Sequence, residues 1–130
     1  MLLKEIVESI TSESMDQFLN EQFYTPLEMK NTCFNPIKHG FKPDQIAPTE
    51  NDSFFRMQTI QGYVHDQTAA LFGGVCGNAG IFSTAEDLSK LLTMIMQKGT
   101  YKGNRYLSEN TVQLFTSPYP IHQCKNRGLG

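Results

Sequence analysis

Gly73–Lys98 reads GGVCGNAGIFSTAEDLSKLLTMIMQK, and its two halves behave differently. The first half, with Gly73, Gly74, Gly77 and Gly80, is loop-forming: glycine lets the chain turn tightly or approach another surface closely. The second half predicts a helix over 84–98. Ser83 with Glu86 forms a capping box, and Thr84 with Asp87 offers a second register. Leu88, Leu91, Leu92 and Ile95 recur at helical spacing and define one apolar face, read as core. Lys98 suits the negative end of the helix dipole, and Gly99 can end the helix. A glycine loop feeding a capped helix presents backbone to a ligand, or simply opens a core helix.

The preceding chain is expected to be mostly helical. Leu2, Leu3, Ile6, Val7 and Ile10 fall on one side of a helix over 2–11. Its apolar pattern runs to the first residue with no N-cap, which gives the expectation that the chain is an internal piece of something longer. Ser14 and Gln17 open a second helix over about 15–23, with Phe18, Leu19 and Phe23 on its buried side. Thr25–Met29 reads as a short helical turn with Pro26 in its first turn. From Lys30 to about Asn51 the signals are those of a long loop, including Asn35-Pro36, His39-Gly40 and Lys42-Pro43. An extended piece is expected somewhere within Phe54–Val64, and Asp66 should cap a helical turn over 67–72.

Beyond the central helix, Tyr101–Tyr106 reads as a turn or small hairpin. Ser108 caps a last helix over about 109–116, with Val112 and Phe115 facing inward. The tail from Ser117 holds Pro118 and Pro120 and carries no stop signal.

Composition narrows the function classes. The chain has 130 residues, about one domain by length, and 39% of them are hydrophobic. Its net charge is −2 with no basic run, which argues against a nucleic-acid partner. No apolar stretch approaches the roughly 20 residues of a membrane span. The start lacks the features of an export signal. Cys33, Cys76 and Cys124 are widely spaced and odd in number, so they read as free thiols rather than a zinc site or disulfide framework.

Catalytic motifs are missing from the sequence. No GxSxG elbow occurs, and no serine is followed three residues later by lysine. Tyr-x-Asn, Lys-Thr-Gly and His-x-Gly do not occur either, nor does a phosphate loop. His39, His65 and His122 are isolated. His65-Asp66 is a local His–carboxylate pair, but neighbours on extended chain point apart, so His65 reads as a structural hydrogen-bonding residue. Glu5, Glu8, Glu13 and Glu21 read as solvated helix faces. The residues alone therefore describe a mostly helical piece with no catalytic residue, metal ligand or cofactor site of its own.

Several stretches in order carry a resemblance. Phe23-x-x-Pro26-Leu27-x-Met29-x-x-Thr32 is followed by Ile46-Ala47-Pro48-Thr49-Glu50 and by Val64-His65-Asp66. Then comes Gly73-Gly74-Val75-x-Gly77-x-Ala79-Gly80-Ile81-Phe82-Ser83-Thr84-Ala85-Glu86-Asp87-Leu88. Together they resemble the serine β-lactamase-related family: class C β-lactamases, low-molecular-weight penicillin-binding proteins and similar esterases. The resemblance implies a mainly α piece, the helical lobe of the β-lactamase/transpeptidase-like α/β fold without most of its sheet. It also implies a single stretch, 1–130, of a larger domain.

Family chemistry is acyl-enzyme formation by the serine of Ser-x-x-Lys, with Tyr-x-Asn and a Lys/His-x-Gly strand around the cleft. The resemblance places the first two before the helix over 2–11, Tyr-x-Asn immediately so, and the third beyond Gly130. It makes Gly77, Asn78 and Ala79 candidate lining of the substrate cleft; close packing of the glycines is the competing reading. Relatives often carry His where Asn78 stands. Asparagine still hydrogen-bonds but cannot titrate near neutral pH.

The expected function is thus part of a serine hydrolase acting on β-lactams, peptidoglycan peptides or esters, the chain being inactive alone. Its expected partner is the rest of the hydrolase domain. The cell envelope or periplasm is the expected setting of the parent protein. The alternatives are a helical interaction module, self-associating through exposed apolar surface, or a truncated remnant.

Overall fold

A computed structural model describes residues 2–118 of the chain. Five α-helices are present: α1 (Leu2–Thr11), α2 (Met15–Leu19), α3 (Gln67–Leu71), α4 (Ala85–Met96) and α5 (Glu109–Thr116). The strands are short: β1 (Cys33–Phe34), β2 (Pro48–Asp52), β3 (Gln58–Gln61), β4 (Ile81–Phe82), β5 (Thr100–Tyr101) and β6 (Asn104–Arg105). They pair as three two-stranded antiparallel sheets, β1–β4, β2–β3 and β5–β6. Helix therefore dominates the described residues, as expected. The chain divides into two compact units, one through Asp87 and one from Leu88 onward.

In the first unit, α1 forms where its apolar period predicts, and Glu8 is more than a solvated residue. Its carboxylate accepts the Met15 backbone N–H at 3.0 Å, which satisfies a free donor at the start of α2. Ser14 caps α2 by accepting from Gln17 N at 3.3 Å. The helix then widens into a π turn over Asn20–Tyr24, where Thr25 N reaches back five residues to Asn20 O at 2.9 Å. That extra residue per turn changes which side chains point inward. Met15 and Tyr24 are the buried ones, while the expected Phe18, Leu19 and Phe23 are only half-buried. The Thr25–Met29 turn follows and buries Leu27 and Met29 fully.

The stretch read as a long loop, 30–51, instead carries two strands and two 3-10 turns (Pro36–His39 and Pro43–Gln45). β1 pairs Cys33 with Phe82 and Phe34 with Ile81 across a long separation in sequence. β2 pairs with β3 in a hairpin that carries a register irregularity between Pro48 and Glu50. Asp66 caps α3 as expected, accepting from Ala69 N at 2.6 Å.

α4 is capped in the second of its two registers: Thr84 Oγ1 accepts from Asp87 N at 3.2 Å. Ser83 is engaged elsewhere, with its hydroxyl 2.8 Å from that of Thr32. The buried positions on α4 are Asp87 and Met94, seven residues apart and hence on one side. This corrects the expected core face. Leu88 and Leu92 are exposed with Met96, and Leu91 and Ile95 are half-buried. An apolar stripe shows that a face seeks cover; it does not show that the same chain supplies it.

In the second unit α4 ends where Lys98 and Gly99 adopt left-handed φ of 57° and 88°. A Cβ on Gly99 would lie 2.1 Å from Leu107 O, so glycine is required there. Lys102 and Gly103, with φ of 49° and 83°, form the two-residue turn joining β5 to β6. Ser108 caps α5, accepting from Thr111 N at 3.0 Å. Val112 faces inward as expected, but Phe115 is exposed. Pro120, Cys124 and the rest of the tail beyond 118 lie outside the described residues.

Candidate functional site

The loop between α3 and β4 starts from two backbone hydrogen bonds. Gly73 N bonds Ala70 O at 3.1 Å and Gly74 N bonds Ala69 O at 2.8 Å, ending α3 with φ of 82° and 84°. Gly80 closes the loop. A Cβ there would lie 2.2 Å from Gly74 O and 3.1 Å from the Phe34 ring, so the two ends of the loop touch only because residue 80 is glycine. β4 leaves directly from Gly80 to pair with β1.

The three residues expected at the cleft occupy different settings. Gly77 lies against α1: a Cβ on it would be 2.8 Å from Leu3 Cβ. Asn78 is exposed. Ala79 packs against the small cluster of Val64, Ala69 and Cys76. The loop thus meets the first turns of α1 through Gly77, leaves Asn78 exposed, and roots itself through Ala79.

At the start of α4 sits a polar knot around a buried carboxylate. The Asp87 carboxylate, fully buried, accepts from Asn31 N at 2.7 Å and from Thr32 Oγ1 at 3.1 Å. Thr32 also meets Ser83, so the turn after Met29, the end of β4 and the start of α4 are tied together. These contacts brace the scaffold; none sets a base beside a nucleophile. Nor does His65 act with its neighbour. Its Nδ1 lies 3.0 Å from Glu50 Oε1, whereas Asp66 is spent on capping α3.

The β2–β3 hairpin is held by charge. Asp52 accepts the backbone N–H groups of Phe54, Phe55 and Arg56. It also accepts Arg56 Nε at 2.9 Å. That guanidinium, with the backbone donors, holds the Asp52 carboxyl well below the usual carboxylate range. Arg56 further donates to Glu50, Val64 O and His65 O. It is therefore the hub joining the hairpin to the segment leading into α3.

A separate recess of about 450 Å³ is lined in part by Asp16, Tyr24, Cys33 and His39. His39 Nε2 is 3.5 Å from Asp16 Oδ2. Burial, and then the Asp16 carboxylate, push the Cys33 thiol up to about 11. Burial with the same carboxylate and Cys33 raises Tyr24 to about 12. Both groups are thus held neutral, the opposite of what a nucleophile or proton acceptor needs. Among the described residues no three His, Cys, Asp or Glu side chains are grouped to hold a metal ion.

Asn35, Arg56 and Asp87 are the organising residues that the sequence did not single out. Asn35 was legible only as half of an Asn-Pro turn signal. Arg56 carried no motif, and Asp87 figured only as an alternative cap partner.

The Beta-lactamase family model matches residues 1–128. An N-acetylmuramyl-L-alanine amidase of Bacillus subtilis (strain 168) is 40% identical over 129 residues, covering 91% of this chain and 29% of that protein. A putative D-alanyl-D-alanine carboxypeptidase of Escherichia coli (strain K12) is 38% identical over 128 residues, covering 90% of this chain and 30% of that protein. The chain therefore spans about three-tenths of the length of the curated relatives it matches. In fold it is similar to the octameric penicillin-binding protein homologue from Pyrococcus abyssi, with a TM-score of 0.59 at 16% identity over 90% of this chain and 23% of that one. No helix among the described residues is long and apolar enough to cross a membrane. A match running the length of the chain, on the same glycine loop and capped helix that organise the fold, makes this chain a member of the Beta-lactamase family.

Proposed function

We propose that residues 1–130 are one stretch, mostly helical lobe, of a β-lactamase-like serine hydrolase domain, and that the Gly77–Ala79 loop edges its substrate cleft. The observation that carries this is the contact of Gly77 with Leu3. In the family, Tyr-x-Asn immediately precedes the helix corresponding to α1. A loop lying on the first turns of α1 therefore lies where that motif would enter. Asn78, exposed beside it, supplies a hydrogen-bonding amide but no proton transfer near neutral pH.

The substrates fitting this reading are peptidoglycan peptides, β-lactams and esters. The carboxypeptidase and amidase names of the relatives favour the first and an envelope setting. Among the described residues no nucleophile has a positioned base, and in this reading the chain by itself is silent. Purified chain should release no product from nitrocefin or p-nitrophenyl esters above background; turnover by it would overturn the silent reading. In a full-length family member carrying this segment in place of its own, Asn78→Ala should raise KM severalfold. An unchanged KM would remove Asn78 from the cleft.

A second reading, self-association, rests on the open side of α1, where Leu2, Leu3 and Ile10 are 73%, 63% and 78% exposed. Light scattering should then show a dimer or larger species. A monomer across a wide concentration range excludes it.

A further inference from the structure

We propose that Asn35 is a positioning residue that clamps the root of the Gly73–Gly80 loop and so fixes the Gly77–Ala79 edge. Its side chain reaches across a separation of 38 residues: Nδ2 donates to Gly73 O at 2.9 Å. The residue is 9% exposed and sits at φ 44°, the left-handed region that a non-glycine residue enters at a cost. Asparagine tolerates that region better than most, and it brings an amide that glycine lacks.

The fit is close on the other side too. A Cβ on Gly74 would lie 2.3 Å from Asn35 Oδ1, so the amide occupies the space that glycine leaves. Phe34, the residue before, is fully buried and pairs with Ile81, just past the loop's far end. One short segment, Phe34-Asn35, therefore grips both ends of the loop, by strand pairing at Ile81 and by a side-chain hydrogen bond at Gly73. Between those grips Ala79 and Cys76 root the loop, on either side of Gly77 and Asn78.

The clamp is independent of what the loop does. Its effect on the reaction rests on the cleft reading above, and the two are separable by experiment. Asn35→Gly keeps the left-handed backbone and deletes the donor. Asn35→Asp keeps the shape but turns a carboxylate toward Gly73 O. In the 130-residue chain, amide hydrogen exchange at Gly73 and Gly74 should quicken by roughly tenfold in both variants, the effect of losing one half-buried hydrogen bond. The amides of the β5–β6 hairpin should not change. Unchanged exchange at Gly73 and Gly74 in both variants overturns the clamp and leaves Asn35 a backbone turn residue. Gly74→Ala attacks the same contact from the opposite side and should give the same local loosening if an Asn35 variant fails to fold.

In the full-length hydrolase carrying this segment, Asn35→Gly should raise KM with kcat nearly unchanged, because a loosened edge binds ground and transition states equally less well. A purely structural loss would instead lower the amount of active enzyme and leave KM alone. Faster exchange with an unchanged KM keeps the clamp and removes the cleft role of the loop.

Discussion

The loop from Gly73 to Gly80 and the helix α1 touch at Gly77 and Leu3, yet they are opposite kinds of structure. The loop is finished within the chain. Its ends are gripped by Asn35 and by β1, its glycines fill the closest contacts, and its roots are buried against Val64, Ala69 and Cys76. α1 is tied down through Glu8 and Leu3, but it has no fully buried residue, and its apolar stripe faces outward. The open side of α4, with Leu88, Leu92 and Met96, repeats the pattern in the second unit. Burial thus separates what the chain completes from what it leaves open, and substitutions on the two kinds of surface should separate in the same way.

The largest effect is expected at the closed end. Phe34→Ala removes a fully buried ring that meets Gly80 and should cost about 3–5 kcal/mol in denaturant unfolding. A loss below about 1 kcal/mol would mean that the loop root is not packed as described. Asp87→Ala comes next. It removes the acceptor of Asn31 N and one of the two partners of the buried Thr32 hydroxyl, with an expected loss of about 1–3 kcal/mol by the same measurement. An unchanged midpoint would show that the polar knot does not brace α4.

Acid should weaken the hairpin before it weakens the loop. Asp52 has its folded pKa depressed by Arg56 and by backbone donors. Its contribution is therefore present above the unfolded carboxyl value of about 4 and is lost as pH falls below that toward the folded value. Arg56→Met should flatten this acid dependence in a pH series of denaturant midpoints. An identical series in the variant would refute the pairing.

Cys33 tests the recess. A thiol raised to about 11 stays protonated, so alkylation by iodoacetamide should be slow at pH 8 and accelerate only toward that value. Rapid labelling of Cys33 at pH 8 would contradict the burial. The same raised value stabilises the fold at pH below the free thiol's, and that contribution is lost as pH climbs toward about 11.

The smallest effect belongs to the open side. Leu92, 57% exposed, should tolerate alanine within about 0.5 kcal/mol. A loss of about 2 kcal/mol or more would show that a second copy covers this face in solution.

Local signals in the sequence were reliable where a residue and its partner lie within one turn. Ser14, Asp66 and Ser108 cap the helices they precede, and Lys102-Gly103 makes the expected tight hairpin. The Thr84 cap was legible locally, but the contact of Ser83 with Thr32, far away in the chain, was not. The strand at Cys33–Phe34 was hidden for a similar reason: two residues leave no periodicity, and their partner comes 47 residues later. The π turn at Asn20 shifts the helical phase without any sequence marker and moves Tyr24 into the buried set. Of the candidate site, the glycines were visible but their anchors were not. Asn35 and Leu3 act through contacts that periodicity cannot report.

The most direct test uses fluorescent penicillin on two proteins: the chain alone, and a full-length family member carrying it as a replacement segment. Peptide mapping should find label on the Ser-x-x-Lys serine of the full-length protein, outside residues 1–130, and none on the isolated chain. Covalent label on any serine within residues 1–130, in either protein, would contradict the silent-segment reading outright.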